Sequence, residues 1–230
     1  DLGGLQEVAL WRRGPFQPEQ LGVPNATEVD YDFLAILRED LAEAGAPYDV
    51  AVVGQRADVE APTFDAAMED ARDVRLTMHD VILVRRGTKV VDSGRGYQWV
   101  DVRVGPQRVR FVNTHLEAAS SGVALAQAQE LVQGAAVPDR TTIVACDCNS
   151  DPLDDSTKPG DPTRHSAAYG SLTGPAGFTD QWLEWAPADQ GWTAGLSETL
   201  DDPTPAGLDH RIDLVLARTP DGRPLAVDRG

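Results

Sequence analysis

Apolar residues in this chain come in short runs, such as residues 81–84 (Val-Ile-Leu-Val) and 214–217 (Leu-Val-Leu-Ala), and that limits what the chain can fold into. None approaches the roughly 18 apolar residues that a membrane-spanning helix requires. Short apolar runs bounded by turn residues read as strands. They fall at residues 49–53, 81–85, 97–104, 109–114, 141–148 and 211–217, with Gly105-Pro106 turning one into the next. Residues 2–8 open the chain as a further apolar run that closes in Gln6-Glu7-Val8. Two helical patterns interrupt the strands. Thr27 is a candidate N-cap for a helix carrying Val29, Phe33, Ile36, Leu37 and Leu41, stopped by Gly45 and Pro47. Ser120 or Ser121 can cap a second, in which Leu125, Ala128, Leu131 and Val132 share a face. Residues 11–25 and 151–163 read as loops, and residues 178–185 fit either helix or strand. Strands joined by hairpin-length turns favour mixed sheets with helices outside over a purely parallel, doubly wound sheet. No linker or repeat divides the chain, so a single domain over residues 1–230 is expected.

Charge narrows the function classes. Twenty Lys and Arg against 37 Asp and Glu leave a net charge of −17. Binding to duplex nucleic acid is driven by a basic footprint that releases counterions. Long duplex nucleic acid is therefore disfavoured as a partner, although a bound metal can reverse the field inside one cleft. Neither a signal peptide nor a membrane span is read, so a soluble chain, expected to be a monomer, remains without an assigned compartment. Cys146 and Cys148 flank Asp147. On an extended strand their Cα atoms lie near the upper limit for a disulfide, which favours two buried free thiols.

Four apolar runs end in, or contain, polar residues that chemistry can use. They are Gln6-Glu7, Asn113-Thr114-His115, Asp147-Cys148-Asn149 and Arg211-Ile212-Asp213. Strand ends are where a scaffold presents side chains rigidly to a cleft. Each also has a plainer reading. Glu7 can be solvated at a strand end, His115 can be a hydrogen-bonded strand terminus, and Asp147 can open an Asx turn. Asp213, between Ile212 and Leu214, is expected to be buried or half-buried and to need a partner.

In order and separation, Leu5-Gln6-Glu7-Val8, Asn113-Thr114-His115-Leu116, Asp147-Cys148-Asn149-Ser150-Asp151-Pro152 and Arg211-Ile212-Asp213 together resemble the endonuclease/exonuclease/phosphatase superfamily, the DNase I-like metal-dependent phosphoesterases. Its usual Gly-Asp-Phe-Asn motif is here Cys146-Asp147-Cys148-Asn149. The resemblance implies an α/β four-layer sandwich, two mixed sheets face to face with helices on both outer faces. It implies hydrolysis of a phosphodiester by in-line attack of water with Mg²⁺, or Mn²⁺ or Ca²⁺ in its place. Glu7 would hold the metal, His115 would bond a phosphoryl oxygen, Asp147 would orient the attacking water, and Asn149 would hold water and phosphate. Asp213 would orient a catalytic histidine and fix its tautomer. Strand alternation would put Asp147 and Asn149 on one face and the two cysteines on the other.

The sequence departs from the superfamily at both ends. No Asn-bearing strand precedes the Glu7 strand, and no Ser-Asp-His follows Asp213, so a domain truncated at both ends is the expectation. A non-catalytic binding module on the same fold is the competing reading. Substrate stays open among a small or lipid-headgroup phosphodiester, as in the sphingomyelinase-like members, an inositol phosphate and a nucleic acid. Asp209-His210 precedes the Arg-Ile-Asp strand and reads as loop; His79, His165, Asp180 and the tryptophans Trp182, Trp185 and Trp192 read as structural.

Overall fold

The computed structural model describes residues 1–64, 70–94, 97–153, 162–197 and 204–227. These form an α/β fold with two β-sheets, and the chain divides into two compact units, residues 1–88 and 89–230.

The first unit is built on long antiparallel strands. Strands β1 (Leu2–Pro15), β2 (Glu28–Asp32), β3 (Tyr48–Phe64) and β4 (Ala71–Arg85) lie in the order β2-β1-β4-β3, with helix α1 (Phe33–Glu43) between β2 and β3. Val81, Ile82, Leu83 and Val84 are all buried on β4, a central strand, as their unbroken apolar run anticipates. The sequence reading stops these strands too early. Residues 11–15 are strand rather than loop, pairing Trp11 with Leu76 and Arg13 with Val74. The extra length carries few apolar residues and is held by charge. Arg75 donates to both oxygens of Asp58 (Nε 2.7 Å, Nη2 2.5 Å), and Thr77 donates to Asp58 at 2.9 Å. The Arg75 hydrogen bond is the main reason that the Asp58 carboxyl is held down to about 2. Cross-strand pairs of this kind support a sheet where hydrophobic burial cannot.

Helix α1 is capped five residues later than expected. Asp32, not Thr27, accepts the Ala35 N–H at 2.9 Å. Glu28-Val29-Asp30-Tyr31 alternates with period two and pairs with β1, so Val29 sits exposed on an edge strand. Gly45, at φ +75°, ends the helix as read.

The second unit has strands β5 (Val90–Gly94), β6 (Gln98–Val104), β7 (Gln107–His115), β8 (Thr141–Asp147), β9 (Thr179–Asp180) and β10 (Asp213–Arg218) in the order β5-β6-β7-β8-β10-β9. Only β7 and β8 run parallel, and α2 (Ser121–Gly134) makes the crossover between them. Ser120 caps α2 by accepting the Val123 N–H, and Ala124, Ala128 and Leu131 form its buried stripe. That stripe, α3 (Ala167–Thr173) and the inward residues Val112, Val144, Leu214 and Leu216 form one apolar core.

The stretch read as ambiguous is both elements in turn, β9 and then α4 (Gln181–Trp185). Asp180 joins them and is structural, as expected. One of its oxygens caps α4 at the Trp182 N–H (3.0 Å), while both oxygens take the Arg211 guanidinium at 3.2 and 2.6 Å. Tyr169 donates its hydroxyl to the same carboxylate; burial first, and the Asp180 charge second, push this phenol up to about 12. Because the Arg211 and Asp180 side chains are only 5% and 3% exposed, removing one leaves the other charged in a dry site. Asp180→Ala is expected to cost about 3–5 kcal/mol, read as a lowered denaturant midpoint; a loss within the range of a surface substitution would contradict this account.

Candidate functional site

The register of three neighbouring strands places the second-unit candidates in a row. His115 on β7 pairs with Asp147 on β8, and Asp147 pairs with Asp213 on β10. Directly paired residues project to the same face of a sheet, so an imidazole and two carboxylates line up at one level. His115 Nε2 lies 3.5 Å from Asp147 Oδ2, and each side chain is about one-fifth exposed. Like charges at directly paired positions destabilise a sheet. Asp147 opposite Asp213 is therefore not explained by packing.

Backbone bonds fix the ends of these strands. Leu116 N donates to Asp147 O at 2.9 Å, and Cys148 N donates to Ile212 O at 2.8 Å. The buried Asn149 amide donates from Nδ2 to Leu116 O at 2.9 Å, and Asn149 N donates to Asp147 Oδ1 at 3.1 Å. Asn149 thus joins the β7 end to the β8 end, with its own backbone at φ +42°. The Asp147 bond makes this an Asx turn, which is the plain reading of the motif.

Two sequence expectations fail at this turn. Strand β8 ends at Asp147, so alternation does not set the direction of Asn149. Cys146 and Cys148 are not free thiols; they are joined by a disulfide. The turn shortens their Cα–Cα distance to 5.0 Å, inside the range a bridge needs, whereas a continued strand spans roughly 6.6 Å over two residues.

Asp213 corrects a third expectation, because it is exposed rather than buried. Leu214 and Leu216 take the buried face of β10, which leaves Asp213 and Val215 on the other. Among the described residues its carboxylate has no hydrogen-bond or ion-pair partner. Its backbone N–H and that of Ile212 both donate to Thr193 Oγ1 at 3.2 Å. Asp213 opens onto a cavity of about 360 Å³ lined by Trp182, Trp185, Trp192, Thr193, Arg211 and Val215, among others. The tryptophans, read from sequence as structural, therefore wall a cavity beside a candidate residue. Sequence spacing could not show this, because tertiary contacts bring the loop at 189–193 to Trp182 and to β10.

In the first unit, Glu7 sits where the β1–β4 register slips between Leu5 and Val8. Its backbone adopts φ +54°, and its N–H donates to the buried Asp80 carboxylate at 3.4 Å, which also pairs with Arg56. Among the described residues the Glu7 carboxylate is unpartnered and exposed. No group of three or more His, Cys, Asp and Glu that could hold a metal occurs among the described residues. One open carboxylate fits a hydrated Mg²⁺, which keeps several waters, and does not fit a dedicated Zn²⁺ cage.

His210, read as loop, does lie outside the named strands and helices. It is buried, with Nδ1 2.9 Å from Asp209 Oδ1 and Nε2 3.2 Å from Thr163 Oγ1, and its residue bridges Ala194. Arg164 closes the group on Asp209 at 2.5 Å. The Asp-His adjacency was the only signal available in the sequence. Most of the acidic stretch 151–161 lies outside the described residues.

A scan against protein-family models finds no match, and neither does a search of curated proteins. Solved structures do match. An endonuclease/exonuclease/phosphatase protein from Bacteroides vulgatus aligns over 96% of this chain and 73% of its own, at 15% identity and a TM-score of 0.52. Truncated Caenorhabditis elegans TDP2 aligns over 96% and 71%, at 16% identity and 0.48. D. rerio TDP2 complexed with a single-strand DNA product aligns over 94% and 86%, at 18% identity and 0.49. The fold is therefore like that of the Bacteroides vulgatus endonuclease/exonuclease/phosphatase protein.

The backbone at Glu7 gives a test of function set against stability. A non-glycine residue at positive φ costs on the order of 1–3 kcal/mol, which Gly does not incur. Glu7→Gly is therefore expected to hold or raise the thermal midpoint while abolishing any activity that needs the carboxylate. A clear loss of stability would show that the side chain holds the fold.

Proposed function

We propose that this chain is a divalent-metal-dependent phosphodiesterase. The observation that carries the reading is the row His115–Asp147–Asp213 at three paired strand positions, with Asn149 bonded across the first two strand ends. When bound, Mg²⁺ neutralises phosphate charge and polarises the phosphoryl oxygen as a Lewis acid. Glu7 is the carboxylate proposed to hold it. His115 donates to a non-bridging oxygen, where charge grows as water attacks. Asp147 accepts a hydrogen bond from that water and orients it in line with the leaving oxygen. Asn149, already held at both its backbone and its amide, offers a polar group that needs no reorganisation during reaction. Asp213 keeps its carboxylate open to orient an imidazole and to stabilise its protonated form.

The substrate class proposed is a small or headgroup phosphodiester. The net charge of −17 opposes long polyanions, and its field weakens with ionic strength.

The test is hydrolysis of bis-p-nitrophenyl phosphate with Mg²⁺, and with Mn²⁺ or Ca²⁺ replacing it, with and without EDTA. Metal-independent turnover would overturn the mechanism. Glu7→Gln is expected to lose activity that added Mg²⁺ partly restores, because shape survives while charge is lost. Asn149→Ala should slow turnover by about a hundredfold without such rescue, as for one lost preorganised donor. Identical metal-rescue curves for the two variants would contradict separate roles.

A further inference from the structure

Around the start of β7 the second sheet carries more positive charge than its carboxylates answer. Asp101 on β6 is 1% exposed, and three guanidiniums converge on it. Arg110 donates to both of its oxygens (Nε 2.8 Å, Nη2 3.0 Å), Arg108 donates from Nη2 at 3.0 Å, and Arg140 from Nη1 at 2.6 Å. Arg110 also lies over the Trp99 ring, 3.7 Å from its centroid, and donates to Ala135 O at 3.2 Å. Arg140 is shared with Asp139, to which it donates at 2.9 and 2.8 Å.

The surplus grows one rung further along the ladder. Arg103 on β6 is directly paired with Arg108 on β7, and like charges at paired positions destabilise a sheet. A network that served the fold alone would stop at Asp101 and gives no reason for this pair. Arg103 is exposed, and among the described residues its guanidinium has no hydrogen-bond or ion-pair partner. Its backbone N–H donates to Lys89 O at 3.3 Å, which places Lys89 beside it. Against these five cationic residues stand Asp101, Asp139 and Asp92, the last paired with Asp101 from β5. Two buried atoms able to donate also lack a partner among the described residues. They are Arg108 Nε and the hydroxyl of Thr142, which pairs with Arg110 from β8. Surplus cations and unanswered donors together call for an acceptor that carries negative charge.

We infer that Arg103 and Arg108, with Lys89 beside them, bind a compact oxyanion of the phosphate class. Arg108 is already held by Asp101, so part of its side-chain freedom is spent before any ligand arrives. A guanidinium fork matches phosphate oxygens bidentately. Paired residues stand roughly 5 Å apart, close enough for both forks to share one dianion. The net charge of −17 turns away extended polyanions, which leaves a small ion or a single phosphate group. Arg108 and His115 lie seven residues apart on one strand, roughly 23 Å, so this is not the candidate catalytic row. Phosphate binding here is independent of the phosphodiesterase reading and of Mg²⁺.

Binding is measured on the whole chain by calorimetry and by the thermal midpoint, in metal-free buffer at about 0.15 M NaCl. Inorganic phosphate is expected to bind and to raise the midpoint, and acetate, a monoanion, to bind about tenfold more weakly. Arg103→Gln and Arg108→Gln should each weaken phosphate about tenfold, one charge-assisted hydrogen bond's worth. Arg108→Lys keeps the charge but loses the fork, and should weaken phosphate several-fold. In phosphate-free buffer Arg103→Gln should hold or raise the midpoint, because it removes a like-charge pair; a purely structural arginine would lower it. Phosphate affinity unchanged in both glutamine variants, or equal affinity for acetate, would overturn the site. Asn149→Ala should leave phosphate affinity as it is, and loss of binding there would move the ion to the catalytic row and overturn the inference. Phenyl phosphate identifies the source of the group. Binding as tight as that of inorganic phosphate assigns the site to a monoester on a larger molecule, and its exclusion assigns the free ion. A single-stranded oligonucleotide that binds through these arginines where phosphate does not would also overturn it.

Discussion

The register between β8 and its two neighbours is the constraint on which the second-unit site depends. One parallel and one antiparallel ladder bring residues 115, 147 and 213 to a common level, though long stretches of chain separate them. A slip of one residue in either ladder would turn a whole strand over and send its polar end to the opposite face. The apolar partners prevent this. Val112, Val144, Leu214 and Leu216 are buried in one core with α2, so sliding any strand would expose them. The hydrophobic effect in the core thus sets the geometry of charged groups at its rim.

Backbone strain points to the same motifs by a separate route. Among the described residues, Glu7 and Asn149 are the non-glycine positions with positive φ. Asn tolerates the left-handed region, and here one local bond, to Asp147, and one distant bond, to Leu116, hold it. Glu7 has only the long bond from its N–H to Asp80, and the bulge on β1 imposes the conformation. Strained residues persist where the surroundings over-determine them, often at functional positions. Both belong to motifs legible in the sequence.

Much of the fold could be read because burial and periodicity agree. The β4 core run, the α2 stripe and the inward face of β10 are all visible as apolar spacing. Where charge does the holding, the sequence was silent: the outer halves of β1, β3 and β4 lean on Asp58 and Arg75, and no apolar run marks them. Helix α1 was misplaced because Val29 fits a helical stripe as well as an edge strand, and the Asp32 cap decided between them. At the site, residue types and order were legible, but geometry was not. The exposure of Asp213 depends on which face of β10 packs inward. The disulfide depends on a turn that begins one residue earlier than alternation implies. The tryptophan cavity depends on several loop contacts, at Asp189, Gly191 and Thr193, that have no local sequence signature.

The Cys146–Cys148 bridge encloses a single residue, Asp147. Loop closure this short removes little freedom from the unfolded chain, about 1–2 kcal/mol by the entropic account. Its weight is therefore local. A ring that small clamps the peptide planes on both sides of the central carboxylate, while the sheet itself is held by other forces.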